Sequence, residues 1–406
     1  MPMVPPALLP LFVRCREAGG RALVVGGSVR DALLGQPGKD LDIEVHGLSL
    51  DDVVRILRGF GPVNEVGRAF GVLKVRVDGT DLDVSLPRRD QREGTGHKGI
   101  RATADPDLGV VEAARRRDLT INAIAYDPLT GVYEDPFGGR ADLERKLLRA
   151  VDPRTFTEDP LRALRVAQFA ARFGYAIAPD LEALCAVMPL HELPPERIRG
   201  EVEKLLLKGR SPAYGWAFAQ RAGLWARVLP EWDECPEALD RIARVPVADP
   251  NRRLALLYAA AGAQNTLEEN ERILDRLNVH RVGRYPVRRT VLSLVARRDL
   301  ARTPPGAPPP PDAVVRRLSE DGEMELLAAL VESPALLRAA ERLGVRDAPL
   351  PPLLTGAELA ALGVPPGPAM GRVLAALRAR QLEGAIATPE EARSEVARLL
   401  EAERSP

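Results

Sequence analysis

Asp40 and Asp42 stand one residue apart in "DLDIEV", a run that reads as a β-strand. Side chains alternate along a strand, so both carboxylates lie on one face, roughly 7 Å apart along the chain. Two such groups repel unless a cation sits between them. Hard oxygen ligands in low number suit Mg2+, which keeps its other positions for water and substrate phosphates. Upstream, "LVVGGSVRD" ends an apolar run on Gly26 and Gly27 and opens into a helix. Without Cβ atoms that backbone can approach a triphosphate, and the helix aims free N–H groups at it. Arg30, in the first helical turn, is placed to reach a phosphate oxygen. A phosphate cradle followed by a carboxylate pair points to metal-dependent nucleotidyl transfer. The plainer alternative is a glycine-capped surface turn beside a solvated Asp-x-Asp. It suits either half alone and loses ground once both stand together.

These residues need a scaffold. Ala22–Val25 reads as a strand, Ser28–Leu34 as a helix and Asp40–His46 as a strand. "SLDDVVRILRGFG" reads as a helix opened by Ser49-x-x-Asp52, a capping-box pattern. "VLKVRVDGTDLDVSLP" reads as a hairpin turning on Asp78-Gly79. Pro87–Arg117 is polar, charged and glycine-bearing, and reads as a long, partly mobile loop. "TINAIAYDPLTGVYEDPFGG" gives two short segments with turn residues between them. From Asp142 onward helical periodicity takes over, interrupted by the proline-rich linker "TPPGAPPPPDA". The plan is a small α/β head followed by a long α-helical remainder.

Composition narrows the class. The 406 residues are enough for several domains, and at 4% aromatics the core rests on Leu, Val and Ala. Formal net charge is zero, so any basic surface is local. Cys15, Cys185 and Cys235 are far apart and form no disulfide framework, which fits a reducing cytosol and a cytoplasmic protein. The N-terminus reads as a short amphipathic helix rather than a signal, and no apolar run reaches membrane length. The four histidines show no metal-pair spacing.

"GGSVRD" followed by "DLD" resembles the signature of the class II tRNA nucleotidyltransferases and bacterial poly(A) polymerases, within the polymerase-β-like superfamily. Further blocks match in the family's order: "RRRDLTINAIAYD", "DPFGGRADLERKLLRAV", "EDPLRALRVAQFAARFGY" and "PERIRGEVEKLL". The match is strong over about residues 20–230 and looser to the C-terminus, where "LLTGAELAALGVPPGPAMGRVLAAL" is similar to the tail of many members. The resemblance implies an α/β polymerase-β-like nucleotidyltransferase head with a small mixed sheet, then all-α neck, body and tail domains. The expected boundaries are 1–141 for the head, 142–208 for the neck with its base-selecting motif, 209–302 for the body and 312–406 for the tail. Asp40 and Asp42 fall where the family holds Mg2+. Gly26, Gly27 and Arg30 fall on its triphosphate contacts.

The resemblance also assigns base choice to Asp159 and Arg162, three apart on an expected helix, with Arg165 beyond them. Cytosine and adenine both present an exocyclic amine beside a ring-nitrogen acceptor. A carboxylate accepts from the amine and a guanidinium donates to the ring nitrogen, so one Asp/Arg pair admits C and A and rejects G and U without a template. Gln168 stands where many members carry another arginine and is given no role. In "RRRD", Arg117 is the expected nucleotide contact, with Arg116 close behind, while Asp118 orients arginines or caps a turn. Asp83 is either a third carboxylate of the site or an edge-strand residue. The arginine-rich stretch Arg281–Arg302 is either a solvated helical face or a phosphate-tracking patch for tRNA.

The expected activity is addition or repair of the 3′-terminal CCA of tRNA from CTP and ATP, with pyrophosphate leaving. The alternatives are addition of A only or of CC only, a poly(A) polymerase, or an inert RNA-binding scaffold. In the family a loop between the first two motifs switches the pocket from C to A, and Arg88–Arg115 has the full length for it. The His-Asp phosphohydrolase domain of long relatives is not expected, since no His-Asp pair occurs between residues 230 and 300. No obligate protein partner and no membrane are implied.

Overall fold

The computed structural model describes residues 4–36, 38, 40–65, 71–92, 100–232, 238–304 and 306–402. They fall into two compact units, spanning 1–233 and 234–406.

The first unit opens on α1 (Leu9–Glu17), the amphipathic helix the sequence predicts: Leu11, Phe12 and Cys15 form its buried stripe. β1 (Arg21–Val25) passes through Gly26 into α2 (Gly27–Leu33), and β2 (Asp40–His46) follows. In front of α3 (Leu50–Arg58), Ser49 Oγ accepts the Asp52 N–H at 3.2 Å, as the capping pattern predicts. After β3 (Val63–Asn64), β4 (Val72–Val77) and β5 (Thr80–Ser85) form the expected hairpin. Its turn residues Asp78 and Gly79 both have positive φ, which suits the right-handed twist of the strands.

The segment Pro87–Arg117, read from sequence as a long, partly mobile loop, forms regular elements in the parts described. β6 (Arg88–Arg92) and β7 (Ile100–Ala104) pair antiparallel as a separate ribbon, and α4 (Val110–Arg115) follows. Its polar residues suited a loop reading because a two-stranded ribbon apart from the main sheet gives no apolar alternation. The tip, 93–99, lies outside the described residues, and so does the expectation of mobility there. A short 3-10 turn, Thr120–Asn122, then leads to β8 (Ala125–Asp127) and β9 (Val132–Glu134).

The main sheet has seven strands in the order β3-β4-β5-β2-β1-β8-β9. β2 and β5 run parallel and the other neighbours antiparallel, so the sheet is mixed. β5 is interior, not an edge. Its register puts Asp83 opposite Asp42 and Asp81 opposite Asp40.

Helices complete the unit. α5 (Gly139–Glu144), α6 (Pro153–Phe156), α7 (Leu161–Phe173), α8 (Pro179–Val187), α9 (Pro195–Lys208) and α10 (Pro212–Arg221) follow in order. α7 packs against both α9 and α10. Gly215 permits the second contact: a Cβ there would lie 2.3 Å from the Ala167 carbonyl oxygen.

Every named element among the described residues of the second unit is a helix. Capping boxes Thr266/Glu269 and Thr355/Glu358 open two of its helices. Its arginine-rich stretch is divided in use. Arg297 donates to the carbonyls of Leu318 and Gly322, Arg298 donates to those of Gly262 and Asn265, and Arg288 pairs with Asp275. Among the described residues no helix is long and apolar enough to cross a membrane.

Candidate active site

The site grows from the β1–α2 turn. Gly26 has φ +67°, a conformation that excludes most side chains, and a Cβ there would lie 2.5 Å from Arg117 Nη1. A guanidinium therefore rests where any other residue would put its first carbon. Ser28, at the start of α2, accepts the Asp42 N–H at 2.9 Å and fixes α2 to β2.

β2 supplies the carboxylates. Asp40 and Asp42 share its open face, while Leu41, Ile43 and Val45 are buried in the core. Although its side chain is exposed, desolvation by the surrounding protein raises the Asp42 carboxyl; Arg117 opposes the shift, and Asp83 and Asp40 add to it. Lys74 Nζ meets Asp83 at 2.8 and 3.0 Å. Among the described residues, no three His, Cys, Asp or Glu side chains converge as a ready-made metal cage. Two carboxylates with repulsion still to be relieved suit Mg2+, whose remaining positions belong to water and phosphate oxygens.

Arginines form the opposite wall, each held by a named partner. Arg30 is buried. It donates to Asn122 Oδ1 and to Asp31 at 2.8 Å, and lies over the rings of Phe169 and Phe173 at 5.3 and 5.0 Å. Arg116 meets Glu44 at 3.2 Å, and Arg117 Nη2 is 3.7 Å from the same oxygen. Burial alone would raise the Glu44 carboxyl, but His46, Arg117 and Arg116 hold it at about 2. Asp118 accepts from Arg165 Nε at 2.7 Å, Asn122 Nδ2 at 2.9 Å and the Leu119 N–H at 2.8 Å. These contacts overcome its burial and bring it to about 2. Asp118 thus holds Arg165 of α7, an arginine outside the "RRRD" run that the sequence pointed to.

The expected helical pairing of Asp159 with Arg162 takes a different form. α7 begins at Leu161, so Asp159 lies in the turn before it. Its Oδ1 accepts the Leu161 N–H at 3.1 Å and its Oδ2 accepts from Arg197 Nη2 at 2.9 Å. Arg162 donates instead to the carbonyls of Thr155 and Arg116. Asp159 thus stands two residues before the helix that carries Arg162.

These residues meet. A cleft of about 470 Å³ is lined by eighteen residues, among them Gly27, Arg30, Asp42, Arg116, Arg117, Asp159, Arg162 and Arg165. Ten of the eighteen are Arg or Lys, which suits a polyanion. Gly26 and Asp40 are not part of its lining. Gln168, given no role from sequence, is buried and lines it, as do Arg172, Arg197, Lys204 and Lys208. A smaller hollow of about 280 Å³ lies on the other side of Asp42, lined also by Asp83, Ser85 and Arg88. Asp42, Arg88, Arg116 and Arg117 border both.

Residues 22–149 match the family model described as the poly A polymerase head domain. That match covers the head and stops short of the helices that follow. Over these residues the resemblance read from the motifs holds, and they contain both the Gly26-Gly27 turn and the paired Asp40 and Asp42. Over 213 residues the chain is 42% identical to the multifunctional CCA protein of Nitrosomonas europaea, covering 52% of this chain and 49% of that protein. Over 220 residues it is 41% identical to the CCA-adding enzyme of Bordetella pertussis, covering 53% and 57%. The chain thus spans about half the length of the curated relatives it matches. A solved structure, the Bacillus stearothermophilus CCA-adding enzyme in complex with CTP, is similar over 98% of this chain and 99% of that one, at 25% identity and a TM-score of 0.72. Nucleotidyltransferases with this head generally use a divalent metal.

Proposed function

We propose that the chain is a tRNA nucleotidyltransferase that adds or repairs the 3′-terminal CCA from CTP and ATP with Mg2+. The observation that carries the reading is the place of Asp42, at the junction of two hollows, one of them a cationic cleft of nucleotide size. Transfer between two substrates needs such a junction: a nucleotide on one side, a growing RNA end on the other. The names of the relatives, all given for CCA addition, support the choice of substrate.

Each residue then has a task. Asp40 and Asp42 would hold Mg2+, which supplies neutralisation of charge at the α-phosphate when bound. Gly26 and Gly27 let the backbone approach the triphosphate, and Arg30, Arg116 and Arg117 meet its oxygens. Asp159 keeps a lone pair on each carboxylate oxygen for the exocyclic amine of C or A, and Arg162 donates to the ring nitrogen. Asp118 holds Arg165 beside them. The tRNA body falls to the helices of the second unit, where arginines outside the capping contacts remain for phosphates. Cys15 and Cys185 are free and buried, which suits a reducing compartment, and we assign the protein to the cytoplasm.

The test is the pair Asp40→Asn and Asp42→Asn. Each should abolish incorporation of labelled CMP and AMP into tRNA lacking its 3′ end, while tRNA binding survives. More than a few per cent of residual transfer would remove the metal assignment.

A further inference from the structure

Period two along β2 places Asp40, Asp42, Glu44 and His46 on one face. The first two are exposed, and Asp42 lines the cleft. The third is buried: Glu44 is 3% exposed, in a strand whose opposite face already supplies the core. A buried carboxylate is costly unless its charge is met, and here it is met by the site's own arginines. Glu44 Oε2 lies 3.2 Å from Arg116 Nη2 and 3.7 Å from Arg117 Nη2. Its other oxygen, Oε1, lies 3.3 Å from His46 Nε2. The other ring nitrogen, Nδ1, is 2.9 Å from the Leu108 carbonyl oxygen, just ahead of α4. Glu44 and His46 therefore grip both ends of the segment that delivers the arginines. Arg117 in turn overlies Gly26.

We propose that Glu44 is a positioning residue of the nucleotide site, holding Arg116 and Arg117 over the glycine turn. It touches neither nucleotide nor metal. Without its charge the next carboxylate along the strand is Asp42, and Arg117 is drawn toward it and away from the phosphates. The inference rests on the nucleotidyl-transfer reading and adds to it the residue that sets its arginines.

The experiment measures equilibrium binding of ATP and of CTP to the full chain without tRNA, in wild type, Glu44→Gln and Glu44→Asp. Glutamine keeps the shape and removes the charge. Its Kd should rise about tenfold, the scale of one charge-assisted pair. In turnover the nucleotide KM should rise by the same factor, with kcat within about twofold. Glu44→Asp, which keeps the charge on a shorter stem, should lose less. An Arg116→Gln/Glu44→Gln double variant should lose less than the two single losses combined, because Glu44 acts through the arginines. A folded Glu44→Gln protein with wild-type Kd, or with unchanged KM and reduced kcat, overturns the proposal. If Glu44→Gln does not fold, Glu44→Asp decides by the same readouts. A wild-type chain that binds neither nucleotide overturns the nucleotidyl-transfer reading, and this inference with it.

Discussion

Asp159 is held by Arg197: Nη2 of the arginine donates to Oδ2 of the aspartate at 2.9 Å, across 38 positions of sequence. The other carboxylate oxygen takes the Leu161 N–H. The carboxylate assigned to base choice is therefore fixed in place before any base arrives, by α9 rather than by its neighbour Arg162. A fixed acceptor discriminates better than a mobile one, because a mismatched base cannot push it aside cheaply.

Arg197→Met should loosen base choice while keeping much of the packing of the arginine stem. The ratio of kcat/KM for CTP to that for UTP should fall by about 1 kcal/mol, or roughly fivefold. The check is single-nucleotide incorporation with each of the four triphosphates. An unchanged ratio with a uniformly lower rate would leave Arg197 a purely structural residue.

Asp159→Ala and Arg162→Ala should each cost about 1–3 kcal/mol of discrimination, the price range of one base contact. Misincorporation of G and U is the readout. Retained preference for C and A in both variants would remove the pair from base selection.

Gly26→Ala should be doubly unfavourable. At φ +67° and ψ −130° the backbone is one that glycine alone adopts readily, and a residue with a Cβ costs about 1–3 kcal/mol there; the new carbon also falls on the Arg117 guanidinium. We expect a lower melting temperature together with weaker ATP binding. Weaker binding is the decisive part: a variant that melts lower but binds ATP normally would show that Arg117 has no part in the nucleotide site.

Asp118 gives a pH prediction. Its folded pKa of about 2 lies below the ordinary aspartate value of 3.8. A depressed carboxylate contributes stability that is present above the unfolded value and lost as pH falls through the folded one. Asp118 should therefore contribute about 2 kcal/mol above pH ~4, fading between about pH 4 and 2. Denaturant unfolding of wild type and Asp118→Asn should differ most above pH ~4 and converge near pH ~2. A difference that does not change across that window would contradict the Asp118–Arg165 account.

Much of the site was legible because its residues lie in short local patterns. Asp40 and Asp42 are separated by one strand period, and the Gly26-Gly27 turn precedes a helix, so alternation and turn chemistry sufficed. What failed depended on contacts between distant segments. Asp83 sits on a strand whose alternation looks the same at an edge or in the interior, and only the β2–β5 pairing decides. Arg197 was visible as a helical arginine, but its partner in the α7 turn was not. Glu44 had a usable signal: it continues the Asp40, Asp42 period by one step, into a stretch too apolar to leave an acid without a cation. Arg297 and Arg298 resembled a phosphate patch because sequence does not show which helix ends lie open nearby.

The most direct measurement uses the intact protein, Mg2+ and tRNA lacking its three 3′-terminal nucleotides, with each triphosphate supplied alone and CTP and ATP together. The account predicts two C additions with CTP alone, a complete CCA end with both, and no extension with GTP or UTP. A protein that extends only tRNA already ending in CC, stops at CC, or lengthens the end into an A tail would contradict it.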